Sequence, residues 1–137
     1  MKPTLELVHS LEAVGKSIKE GIFIDPQTKE KDFYSWDQPT NCNAGLLARQ
    51  LGISKEEIKK YKIKNWYSDL KNMENNPIFY HLIDKGIYID DIWSIEYCDG
   101  ILLGILHNED SIRYEEKVCE LSSSWFKNKA SNLKLLI

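Results

Sequence analysis

The sequence predicts a mainly α-helical (α+β) protein, a compact single-domain helical bundle over residues 1–137 with a small β-hairpin in its N-terminal third. Three observations carry that expectation. Apolar residues recur at intervals of three and four in several segments bounded by capping residues and glycines. Two short β-prone runs flank the turn dipeptide Asp25-Pro26. A chain of 137 residues with 42% hydrophobic and 28% charged residues has the make-up of one globular unit, remote from disordered or low-complexity chains.

The elements follow in order. Leu7, Leu11, Val14 and Ile18 are spaced by four, three and four, with Pro3 before them and Gly21 beyond, which predicts a helix over residues 4–19. "GIFIDPQTKEKDFYSW" then reads as a hairpin that brings Trp36 beside the segment that follows. Ala44, Leu47, Ala48 and Leu51 predict a helix over residues 42–51, with Thr40 or Asn41 as N-cap and Gly52 as a left-handed C-cap. Ser54 and Glu57 have capping-box spacing and open a helix whose inward face is Ile58 and Tyr61. In "NNPIFYHLIDKG", Asn76 caps, Pro77 takes the first turn, Ile78, Phe79, Leu82 and Ile83 face inward and Gly86 terminates.

Asp90 or Asp91 is the expected N-cap of "IWSIEYC", and Asp99-Gly100 the expected turn after it. For "GILLGILH", residues 100–107, periodicity does not decide between strand and helix. Over residues 111–121, Tyr114, Val118, Leu121 and Trp125 fit a helix that leaves Arg113, Glu116, Lys117 and Glu120 outside. The tail "LKLLI" is expected to pack back on the domain. Linkers, internal repeats and low-complexity blocks are absent from the sequence.

Three cysteines, Cys42, Cys98 and Cys119, match no zinc or disulfide spacing, so neither cofactor nor metal is expected and the compartment is reducing. With no signal-peptide pattern and no apolar run of about 18 residues, the chain is expected to be cytoplasmic and off the membrane. A net charge of -3 argues against a general polyanion binder.

"TNCNAGLLARQLGISKEE" resembles a group of short bacterial proteins of unassigned function that carry a Cys-Asn-x-Gly helix start followed by Leu-Ala. "NWYSDL", "IWSIEYCDG" and the region of Trp125 are similar in kind, extending the resemblance over residues 30–128. The resemblance implies a shared fold and no reaction. Members often carry a second cysteine where this chain has Ala44, so no Cys-x-Cys metal or redox pair is implied here.

A thiol at a helix N-terminus is placed where backbone amides and the helix dipole can stabilise a thiolate. Papain-like hydrolases use that arrangement with an upstream glutamine and a histidine base, parts that Gln38, Cys42 and either His107 or His81 could take. The alternative function is therefore a cysteine-dependent amide or ester hydrolase. The leading reading is different: Cys42 as a small buried side chain, and the protein as a small, acidic, non-catalytic domain with a binding or regulatory role. In that reading Trp93 and Tyr97, set among Asp90 and Asp91, engage another protein.

"KKYKIKNWY" interleaves lysines with aromatics, as a single-strand nucleic-acid platform does. Flanked by Glu56, Glu57 and Asp69, it reads first as a solvated helix end with core aromatics, and nucleic acid is disfavoured as a partner. Trp66 and Tyr67 are carried as further candidate contact residues.

Overall fold

The structure, a computed structural model, describes residues 3–72, 76–101 and 111–137. It is 64% helical, with seven α-helices and one two-stranded antiparallel hairpin among the described residues. The helices are α1 (Leu5–Glu20), α2 (Asn43–Gln50), α3 (Lys55–Lys60), α4 (Trp66–Asn72), α5 (Pro77–Asp84), α6 (Ile89–Glu96) and α7 (Ser111–Lys134). Strands β1 (Ile22–Ile24) and β2 (Lys31–Phe33) pair with Ile22 opposite Phe33 and Ile24 opposite Lys31.

Local chemistry sets most boundaries. Thr4 caps α1 by accepting from the Leu7 amide, and Gly21 ends it at φ 79°. Ser54 and Glu57 form the expected capping box on α3, and Asn76 with Pro77 opens α5. Leu7, Leu11, Val14 and Ile18 are all buried, and α1 packs along α7 and α2 around one contiguous core that includes Phe23, Leu47, Ile58, Trp66, Ile95 and Phe126.

Several boundaries differ from expectation. Cys42 itself is the N-cap residue of α2, because Thr40 and Asn41 are buried and occupied elsewhere: Asn41 Nδ2 donates to Asp32 Oδ1 at 2.8 Å and to the Phe33 carbonyl at 2.7 Å. Leu51 is the C-cap, and Gly52, at φ 105°, follows one residue later. Tyr88, not Asp90 or Asp91, is the N-cap residue of α6; the Asp91 carboxylate reaches back to accept from the Tyr88 amide at 3.1 Å. Asp99 does not form a turn, since the chain continues from α6 into a π-helical turn, Tyr97–Ile101. Helix α7 extends the expected 111–121 segment to Lys134, but Leu121 faces outward while Phe126 fills the core. The tail does not fold back: Leu135 is 84% exposed, and Leu136 and Ile137 are exposed too. The segment 102–107, left between strand and helix, lies outside the described residues.

Candidate functional site

The Pro39 carbonyl meets the Cys-Asn-x-Gly segment at both Cys42 and Gly45. Pro39 O accepts the Trp66 indole N–H at 2.9 Å and faces the Cys42 thiol at 3.8 Å. A Cβ at position 45 would lie 2.2 Å from that same oxygen, which is why only glycine fits there. Trp66 is therefore a core side chain whose ring is closed to a ligand, a correction to its candidacy as a contact residue.

Asn43, the first residue of α2, ties this segment to α6, the π-helical turn and α7. Its backbone N–H donates to Asp99 Oδ2 at 2.9 Å, and its side-chain Nδ2 donates to Ser122 Oγ at 2.6 Å and to the Ile95 carbonyl at 3.5 Å. Its Oδ1 is buried with no hydrogen-bond partner among the described residues. The Tyr34 hydroxyl donates to Asp99 Oδ1 at 2.5 Å, so strand exit, helix start and π-helical turn converge on one buried carboxyl. The π-helical turn is what rotates Asp99 inward.

Burial pushes the Asp99 carboxyl up to about 8, with Glu96 adding to the rise and the Tyr34 hydroxyl and Asn43 amide opposing it. Glu96 is raised as well, by its own burial and by Asp69, against a hydrogen bond from the Trp66 backbone. Desolvation, reinforced by Asp99 and Glu96, lifts the Cys42 thiol far above the ordinary thiol range, outweighing the amides of Ala44 and Gly45. The side chain is 4% exposed. The helix start thus holds a protonated, walled-in sulfur, the reverse of what a nucleophile requires.

Of the other parts of the hydrolase arrangement, neither Gln38 nor His81, the two among the described residues, brings its side chain to that sulfur. The Gln38 side chain is exposed, and only its backbone carbonyl meets the segment, accepting the Cys42 amide at 2.8 Å. His81 lies at the opposite end of α2, its Nε2 2.7 Å from the Leu51 carbonyl. Cys42 and Leu51 are nine residues apart, about 13 Å along a helix. His107 lies outside the described residues.

The aromatic candidates separate into two kinds. Trp93 and Tyr97, one helical turn apart, are 49% and 43% exposed with ring centroids 5.6 Å apart. Asp90 is exposed beside them, whereas Asp91 pairs with Lys129 of α7 at 3.0 Å. Tyr67 is half-buried under the Lys71 ammonium, 5.4 Å from its ring centre. The lysine run is broken by Lys62, whose φ of 53° ends α3, and Tyr61 and Tyr67 pack against the core as expected for a solvated helix end.

A cluster that the sequence reading missed centres on Arg49, 3% exposed in the last turn of α2. It pairs with Asp25 at 3.2 Å and Asp32 at 3.1 Å, donates to the Thr40 carbonyl at 3.1 Å and lies over the Phe23 ring. Lys55 joins at Asp32, 2.8 Å away. Burial alone would raise Asp32, but Lys55, the Phe33 amide, Asn41 and Arg49 together hold its carboxyl far below the usual range. The available signal was Arg49 itself, an arginine inside the apolar period of α2 that demanded buried acidic partners.

Among the described residues no helix is long and apolar enough to cross a membrane, and no group of three or more His, Cys, Asp or Glu is placed to hold a metal ion. No protein-family model, curated protein or solved structure matches this chain, so the Cys-Asn-x-Gly resemblance rests on its residues alone.

Proposed function

We propose that the chain is a protein-binding domain without catalysis of its own, with Trp93 and Tyr97 at the centre of its contact surface. One observation carries the reading: two large, half-exposed aromatic rings stand next to each other, Trp93 on α6 and Tyr97 at the start of the π-helical turn, while Ile92 and Ile95 on the other side of α6 are buried in the core. Exposed aromatics of this size are enriched at interfaces and over-represented among the residues that dominate binding energy. Exposed Asp90 supplies a charged rim beside the rings, while Asp91, neutralised by Lys129, serves to anchor α6 to α7.

The hydrolase alternative needs a thiolate open to substrate, and Cys42 has a buried thiol with its proton held in place. A cytoplasmic setting agrees with three cysteines of which none is in a disulfide. The reading is tested by comparing proteins captured from source-cell extract by the wild-type chain and by Trp93→Ala/Tyr97→Ala. A partner retained by the wild type and lost by the variant supports it; an identical set of bound proteins on both counts against it. Replacing two exposed rings leaves stability within about 0.5 kcal/mol per site, so loss of binding does not report unfolding.

A further inference from the structure

A trough of about 630 Å³ runs between α1 and α7. It arises because small residues face each other across the helix pair: a Cβ at Gly15 would lie 3.0 Å from Phe126 Cβ, and Ala130 and Ser131 continue the shallow floor along α7. Lysines form the walls, Lys16 and Lys19 from α1, and Lys127 and Lys134 from α7. Among the described lining residues the two carboxylates are already engaged, Glu12 by Lys134 at 3.2 Å and Glu120 by Lys117 at 3.8 Å. Among the described residues, Lys16, Lys19 and Lys127 have no carboxylate within ion-pair distance. A chain whose net charge is -3 thus gathers three uncompensated ammonium groups around one concave surface.

We infer that the α1–α7 trough binds an acidic polypeptide segment through Lys16, Lys19 and Lys127. The trough has the volume of an ordinary ligand site, and its glycine, alanine and serine floor lets a main chain approach closely. Lysine ammoniums on flexible stems suit carboxylates distributed along a chain, whereas among the described lining residues there is no arginine, whose planar fork favours a single phosphate. Among the described lining residues there is no aromatic ring on which nucleic-acid bases could stack. This surface is separate from the Trp93–Tyr97 pair: Lys129 turns the other side of α7 toward Asp91 of α6.

The test is fluorescence anisotropy with a short labelled oligoglutamate peptide at low ionic strength. Two charge-reversal variants with the same net charge are compared, K16E/K19E/K127E in the trough and K59E/K62E/K64E on the depression beside Pro39 and Ile63. The trough variant is expected to bind about tenfold more weakly and the other to change less than about twofold. Ser131→Trp, which fills the trough from an exposed position without altering charge, is expected to weaken binding too, with circular dichroism verifying that each variant is folded. Equal losses in both charge variants, undiminished binding by Ser131→Trp, absence of binding by the wild type, or displacement of the peptide by an oligothymidylate at equal concentration would each overturn the assignment. The Trp93→Ala/Tyr97→Ala variant retains peptide binding, which separates failure of this site from failure of the aromatic surface.

Discussion

The backbone amide of Asn43 donates to Asp99 Oδ2 at 2.9 Å, joining residues 56 positions apart and setting a buried carboxyl against the first turn of α2. This contact, with the Tyr34 hydroxyl on the other carboxyl oxygen, locks α2, the π-helical turn and the exit of the hairpin to one another.

The protonation of Asp99 links that lock to pH. Burial raises its carboxyl from an unfolded value near ~3.9 to about 8. The folded chain keeps a proton that the unfolded chain releases, so this contribution to stability is complete below about pH 4 and declines as pH rises toward 8. Asp99→Asn cannot ionise and flattens the decline, leaving the smaller trend of the same sign that belongs to Glu96. Urea midpoints across this range check it; parallel declines in wild type and variant would contradict the assignment.

Gly45 is sterically obligatory. Gly45→Ala drives a Cβ toward Pro39 O, which also receives Trp66 and Cys42, and is expected to cost about 3 kcal/mol. Gly21→Ala, with open space around it and strain only from its φ of 79°, is expected to cost about 1 kcal/mol. Urea unfolding of the two variants distinguishes a close approach from a backbone preference.

Arg49→Met leaves Asp25 buried beside an uncharged neighbour and is expected to cost about 3–5 kcal/mol. Adding Asp25→Asn removes the unpaired charge, so the double variant is expected to be more stable than Arg49→Met alone. A double variant no better than the single one would show that Arg49 acts chiefly through Asp32 or its packing on Phe23.

Thiol reactivity follows burial. In the native protein Cys119, half-buried on α7, is expected to react with iodoacetamide first. Cys98, buried and pushed up to about 11, follows, and Cys42 reacts only on unfolding. Peptide mass mapping at neutral pH reads the order, and fast modification of Cys42 would reopen the hydrolase reading.

The sequence by itself determined the elements whose signals are local. Gly21 closes α1, the Ser54–Glu57 box and Asn76-Pro77 open α3 and α5, and the period of Leu7, Leu11, Val14 and Ile18 marks a buried face, because each of these interactions closes within a turn or two of chain. Only the tertiary structure decided what Cys42, Asp99 and Arg49 are. The thiol faces the Pro39 carbonyl, which Trp66 holds from a later stretch of the sequence, the partners of Asp99 are Tyr34 and Asn43, and the counter-charges of Arg49 come from the hairpin. Desolvation and pairing depend on which distant residues fill the space around a group, and no spacing along the chain encodes that distance.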